Sequence, residues 1–164
     1  ADLIMAGLIF KQVLELDKVT ESFHGRQSKK VGKVILGTVK GDIHDIGKDI
    51  FRGMLEAAGF EVVDLGVDVP PEVFINKFEE NQADIIGLSG VLTSTVDSMK
   101  DTLDGFVKAG LRDKTRFIIG GNHLTEDTFT FIGADGFAND ASAGVKMCLE
   151  WMNCRDDRGE PDND

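Results

Sequence analysis

Val34-Ile35-Leu36-Gly37-Thr38-Val39-Lys40-Gly41-Asp42-Ile43-His44-Asp45-Ile46-Gly47-Lys48 decides the fold. Its apolar opening, Val34-Ile35-Leu36, reads as a strand. Its polar centre reads as a loop. Beyond the loop, Ile46, Ile50 and Met54 recur at four-residue steps with Phe51, Leu55 and Ala58 beside them, the pattern of a helix. In an open α/β sheet such a loop lies at the carboxyl end of a strand, where ligands bind. Here it carries Asp42-x-His44-x-x-Gly47, with Asp45 next to the histidine. A histidine so placed can ligate a metal through one ring nitrogen while a carboxylate holds the other. On the hexapeptide alone, a turn or capping histidine stands beside the ligand reading.

Outward from this loop, strand and helix alternate. The first strand spans about 33–39 and the first helix about 45–58, closed by Gly59. A second strand follows at 60–65. Pro70 and Pro71 suit a helix N-terminus, and that helix runs to about Glu80. The third strand is Asp84–Ser89, and the third helix carries Val96, Met99, Leu103, Phe106 and Val107 on one face, ending at Gly110. The fourth strand is Arg116–Gly120, with a helix at 125–132. A short strand, Gly136-Phe137-Ala138, leads to a last helix at about 141–152. Such alternation predicts a doubly wound parallel sheet. Strands this apolar are covered on both faces. The small size favours the flavodoxin-like order 2-1-3-4-5, with its switch point between strands one and three.

Length and composition agree with one domain. The chain has 164 residues, 41% apolar and 29% charged, an ordinary balance for a globular protein. Its formal charge of −11 argues against a nucleic-acid backbone or an anionic membrane as main partner. An anionic ligand remains compatible, because helix N-termini and glycine-rich turns bind phosphate locally. Cys148 and Cys154, six apart, match no zinc or redox motif, and read as reduced bystanders in a cytoplasmic protein.

Residues 3–16 are apolar on nearly every side, as a helix covered by more protein would be. The first ten residues, Ala1 to Phe10, are largely apolar but too few to span a bilayer, and they lack the flanks of a signal peptide. The chain begins without methionine, and this helix reads as part of an incomplete helical unit or as one packed on the main domain or a neighbour. A polar linker with a solvated His24 follows, so that 1–30 form a lead-in, 31–154 the domain and 155–164 a charged tail.

The loops at the carboxyl edge form a set. After strand three comes Ser89-Gly90-Val91-Leu92-Thr93-Ser94-Thr95; after strand four, Gly120-Gly121; after strand five, Asn139-Asp140. Hydroxyls and bare backbone along one groove suggest a long, polar, partly anionic ligand. Thr93 or Ser94 is also expected to cap the following helix, and Gly120-Gly121 also suits a tight turn.

With these three motifs in order, the chain resembles the cobalamin-binding domain of the corrinoid methyl-carrier proteins. That family shows Asp-x-His-x-x-Gly, then Ser-x-Leu about forty residues on, then Gly-Gly just under thirty after that. Here forty-one residues separate Gly47 from Ser89, and twenty-eight separate Val91 from Gly120. Val91 stands where leucine is usual. The strings from Gly37 to Lys48 and from Asp64 to Glu72 resemble the methyl-carrier branch closely, and the likeness covers about 31–152.

The resemblance implies a corrinoid cofactor, cobalamin or a relative, with His44 as lower axial ligand to cobalt in place of the cofactor's dimethylbenzimidazole. Asp42 accepts the other imidazole nitrogen's hydrogen bond, and Thr95 stands where the family's relay hydroxyl stands. The implied cofactor-binding set is Gly41, Asp42, Ile43, His44, Asp45, Ile46, Gly47, Ser89, Val91, Leu92, Thr93, Gly120, Gly121 and Asn139. The implied role is to carry a methyl group between a substrate-specific methyltransferase and a second methyltransferase, with a reductive activator as a further partner. Asn122 and His123 depart from the smaller or apolar residues common in relatives, and only the helix at 3–16 could belong to the family's helical cap.

Three other readings use the same residues. The small subunit of an adenosylcobalamin-dependent mutase shares the core motif, but Lys40-Gly41 and Pro70-Pro71 disfavour it. A cobalamin-based transcriptional sensor lacks a visible DNA-binding helix pair. A response-regulator-like domain shares the fold, but leaves the spacings to Ser89 and Gly120 unexplained.

Overall fold

The computed structural model describes residues 30–121 and 124–157. The lead-in helix and linker, Asn122, His123 and the end of the tail lie outside the described residues. Strands β1 (Lys33–Thr38), β2 (Glu61–Asp64), β3 (Ile85–Ser89), β4 (Arg116–Gly120) and β5 (Gly136–Ala138) form one parallel sheet in the order β2-β1-β3-β4-β5. This is the order expected from the alternation of elements. Helices α1 (Ile46–Ala57), α2 (Pro71–Asn81), α3 (Thr95–Lys108), α4 (Glu126–Ile132) and α5 (Ala141–Asp157) connect and follow them.

Period-two alternation splits the sheet residues between two cores. Ile35, Ile86, Leu88, Phe117 and Ile119 face one side, with Phe74 and Phe78 of α2, Met99, Leu103 and Phe106 of α3, and Ile132 of α4. Val34, Ile85 and Ile118 face the other, with Met54 and Leu55 of α1 and Val145, Cys148 and Met152 of α5. Both faces are thus covered, as runs of apolar strand residues require. Each fully buried large side chain contributes about 1.5–3 kcal/mol. On the first side, the Phe106 ring meets Phe117 edge-on at 4.9 Å and Phe78 at 5.7 Å. The rigid body that results leaves its chemistry to the loops.

The element boundaries differ from expectation by a residue or two, except in the last helix. That helix continues to Asp157, beyond 152, because Asn153 to Asp157 include neither glycine nor proline to stop it. Two apolar residues of the expected stripes are not covered. Val107 is 58% exposed, because it follows Phe106 by about 100° around the helix and leaves the buried stripe at the last turn. Ile46 is 76% exposed, because α1 begins at the carboxyl end of the sheet, where none of the described helices lies over it. The hydroxyl cap expected for α3 is also absent: Ser94 holds the cap position without a side-chain cap bond. The Leu92 carbonyl serves instead, accepting from the Thr95 N–H at 3.0 Å and the Thr95 hydroxyl at 2.5 Å.

Candidate cofactor site

Register brings the expected loops together. Thr38, Ser89, Gly120 and Ala138 stand side by side across four strands at the carboxyl edge. Beyond Thr38 the chain turns through Gly41, whose φ of +91° favours glycine, and enters the segment that carries Asp42 and His44.

Asp42 is completely buried and its carboxylate is crowded with donors. The Val91 N–H donates at 2.7 Å and the Leu92 N–H at 3.4 Å, both to Oδ2. The His44 N–H donates at 2.9 Å to Oδ1, and the His44 ring meets the same oxygen through Nδ1 at 2.5 Å. Burial alone pushes the Asp42 carboxyl up. The donors, Val91 foremost, outweigh it and bring the pKa from 3.8 to about 2. Asp42 is therefore a fixed negative charge that orients the imidazole. Its hold on Nδ1 leaves Nε2 as the ring nitrogen for a ligand, on a side chain 56% exposed. The His44 carbonyl accepts from the buried Thr38 hydroxyl at 2.9 Å.

His44 lines the mouth of a cavity of about 900 Å³ that runs between the ends of β3 and β4 and the first turns of α1 and α5. Ile43, Asp45, Ile46, Gly47, Ser89, Val91, Gly120, Gly121 and Asn139 line it too. The remaining expected residues stand behind it. Gly41 and Asp42 form the turn and the anchor, Leu92 lends its N–H to Asp42, and Thr93 is exposed with its carbonyl accepting from Val96. Thr95 is buried; its hydroxyl binds the Leu92 carbonyl, so the Leu92 peptide links it to Asp42.

Sequence reasoning missed the depth of this cavity. Leu36, Phe51, Met54, Gly87 and Ile118 form its inner wall, and Ala141, Ser142 and Gly144 of α5 its side. The signal was the run of small residues opening α5. A Cβ on Gly144 would lie 2.9 Å from the Phe51 ring, so only glycine lets α5 approach α1 there.

Lys48 was also overlooked. It is buried at the start of α1, with Nζ 2.8 Å and 3.0 Å from the two Asp64 oxygens and 3.1 Å from Asp49. Asp64 also receives Arg52 at 3.2 Å and the Gly66 N–H at 2.9 Å. Burial opposes both charges, but the shared hydrogen bonds win: the Asp64 carboxyl titrates below its ordinary range and the Lys48 ammonium above its own. The pH dependence follows in sign. Asp64 stabilises the fold above the ordinary carboxylate pKa, and that contribution disappears as pH falls through its lowered value. The Lys48 contribution is present below its ordinary pKa and disappears as pH rises through its raised one. In Asp64→Asn, which leaves Lys48 buried without its principal partner, about 3–5 kcal/mol is lost at neutral pH. The difference in Tm from the parent protein should narrow below about pH 4 and again above about pH 10. A difference constant across that range contradicts the coupling.

The residues fit a corrinoid. Among the described residues no cluster of three His, Cys, Asp or Glu side chains could hold a bare metal ion. One carboxylate-braced histidine suits instead a metal already held in a macrocycle and needing an axial ligand. The cavity is the size of a cofactor pocket. Its glycine floor is a cradle: among the described residues beyond its chain neighbours, a Cβ built on Gly120 comes within 4 Å of the Ala138 carbonyl oxygen alone, at 3.8 Å.

Comparison with known proteins agrees. The family model for the B12 binding domain matches residues 32–146. Dimethylamine corrinoid protein 3 of Methanosarcina mazei is 46% identical over 128 residues, 78% of this chain and 77% of that protein. A cobalamin-binding protein from Desulfitobacterium hafniense superimposes with a TM-score of 0.82 at 43% identity, covering 88% of this chain and 70% of that one. The monomethylamine corrinoid protein of Methanosarcina barkeri does so with a TM-score of 0.76 at 31% identity, covering 90% and 67%. The chain spans only 58–60% of the length of three dimethylamine corrinoid proteins of Methanosarcina acetivorans. Among the described residues no helix is long and apolar enough to cross a membrane. The motif order read from the sequence, the sheet it predicted and the relatives it shares thus converge: the chain belongs to the B12-binding domain family, among the corrinoid proteins of methyltransferase systems.

Proposed function

We propose that this chain is a cytoplasmic methyl carrier that binds cobalamin with its dimethylbenzimidazole displaced and His44 as lower axial ligand. The observation that carries the reading is the buried Asp42 carboxylate on His44 Nδ1, at 2.5 Å, beside a deep glycine-floored cavity. When bound, the corrinoid supplies the cobalt that takes up and yields the methyl group. The protein's part is to present and hold. Asp42 fixes the imidazole so that Nε2 faces the ligand position. The Val91 and Leu92 amides keep Asp42 ionised. Ser89, Gly120 and Gly121 receive the nucleotide tail, and the apolar inner wall excludes water from it. Thr95 braces the Leu92 peptide behind Asp42.

In this reading residues 31–154 are the cobalamin-binding domain, with 1–30 a lead-in and 155–164 a tail. The partners are a substrate-specific methyltransferase, a second methyltransferase and a reductive activator protein. The methanol:cobalamin methyltransferase complex of Methanosarcina barkeri, whose structure superimposes at a TM-score of 0.71 and 28% identity, supports pairing of this fold with a methyltransferase. The test is reconstitution with methylcobalamin. One equivalent is expected to bind, in preference to adenosylcobalamin, with a visible spectrum that His44→Ala alters. Preference for adenosylcobalamin would overturn the carrier role in favour of a mutase.

A further inference from the structure

Among the described residues, two that are not glycine have positive φ, Gln82 and Asp68. Gln82 is the left-handed cap that ends α2, an ordinary place for such a conformation. Asp68, with φ of +51°, sits in no helix cap. It lies in the loop between β2 and α2, against the segment that carries His44. A side chain held in the left-handed region is worth asking about, because the surroundings must enforce it.

The contacts show what enforces it. The Asp68 carboxylate accepts the Gly41 N–H at 2.8 Å, and the Asp68 N–H donates to the Asp42 carbonyl at 2.9 Å. One residue therefore grips the Gly41–Asp42 pair at both ends, and a positive φ aims its N–H and its side chain at the same neighbour. Around it the two loops are tied further. Gly66 accepts from the Thr38 N–H at 2.9 Å, and Val69 donates to the Thr38 carbonyl at 3.0 Å and bridges Val39. At the far end of the same segment, Asp64 holds Lys48. The loop from Asp64 to Asp68 thus clasps the Gly41–Lys48 segment at its beginning and its end, with His44 between.

We infer that Asp68 is a positioning residue for the cobalt ligand, fixing the Gly41–Asp42 backbone from which the Asp42 carboxylate aims the His44 ring. The inference rests on His44 being the axial ligand. It assigns to the β2–α2 loop a role distinct from tail binding, because neither Asp64 nor Asp68 lines the cavity. The division of labour is physical. The Val91 and Leu92 amides set the Asp42 carboxylate from the β3 side, and Asp68 sets its backbone from the β2 side. The histidine is therefore held from both sides of the switch point between β1 and β3.

Two substitutions separate the parts. Asp68→Gly keeps the left-handed backbone and removes the acceptor. Asp68→Asn keeps an acceptor and tolerates positive φ. In the cofactor-free protein, Asp68→Gly is expected to speed amide hydrogen exchange at Gly41 about tenfold, with amides of β1 and β3 unchanged and Asp68→Asn close to the parent. With methylcobalamin bound, Asp68→Gly is expected to lower the ratio of histidine-on to histidine-off absorption about fivefold, and Asp68→Asn to restore it.

Unchanged exchange at Gly41, or an unchanged ratio in Asp68→Gly, overturns the inference. His44→Ala, measured alongside, separates the two levels. If it alters the spectrum and Asp68→Gly does not, the ligand stands and the brace falls. If His44→Ala leaves the spectrum as it was, the ligand reading falls and takes the brace with it.

Discussion

Gly120→Leu is expected to abolish cobalamin binding while leaving the fold intact. Gly120 ends β4 and lines the cavity, and among the described residues beyond its chain neighbours a Cβ there meets only the Ala138 carbonyl oxygen, at 3.8 Å. A leucine side chain consequently extends into open space rather than into protein. The strand itself does not suffer, because glycine is a poor strand residue and leucine is no worse, so stability should change by no more than about 1 kcal/mol. Cobalamin, whose tail needs that space, should bind at least about a hundredfold more weakly, roughly 3 kcal/mol. Cobinamide should bind as it does to the parent. Gly87 is the contrasting glycine. A Cβ there lies 2.7 Å from Leu36 Cδ1, so enlarging it strains the core and tests folding rather than binding. If Gly120→Leu keeps full cobalamin affinity, the tail lies elsewhere.

Asp42→Ala is expected to cost stability as well as the orientation of the His44 ring. The substitution deprives the Val91 and His44 amides of their acceptor in a completely buried place, with the Leu92 amide more weakly affected. A buried donor left without a partner costs about 1–3 kcal/mol, so about 3 kcal/mol is a fair sum for the pair. In a chain of this size that lowers Tm by roughly 6–12 °C. Asp42→Asn should lose less, since one oxygen still accepts while the new amide group faces a donor. Thermal unfolding of the three cofactor-free proteins checks the order: parent highest, then Asn, then Ala. Equal melting temperatures would mean that Asp42 is not the anchor of these loops.

Much of this was legible in the sequence because periodicity and position were strong signals. Apolar runs bounded by glycine and proline placed all five strands, and the parallel order followed from alternation with helices. His44, Ser89 and Gly120 lay at strand ends, so the sheet was bound to gather them. What was not legible depended on three-dimensional register. Thr38 looked like an interior strand residue, and only the turn after it brings His44 back over its hydroxyl. Lys48 closes the motif string without any sign of burial, and only the β2–α1 approach buries it against Asp64. Asp68 falls inside the Asp64–Glu72 string, but its conformation and its grip on Gly41 have no one-dimensional signature. Val107 shows the opposite error: a residue that fits a stripe by count can still fall off its edge.

Every role assigned to Asp42, Asp68 and Thr95 depends on His44 being the lower ligand of cobalt. The most direct measurement is electron paramagnetic resonance of the protein loaded with cobalamin in its paramagnetic, singly reduced state, prepared with ordinary histidine and with histidine labelled throughout by the heavy nitrogen isotope. Labelling is expected to convert the nitrogen splitting from a triplet to a doublet, and His44→Ala to remove the histidine splitting. A triplet unaffected by labelling would mean that the cofactor's own base remains on cobalt, and would contradict the account.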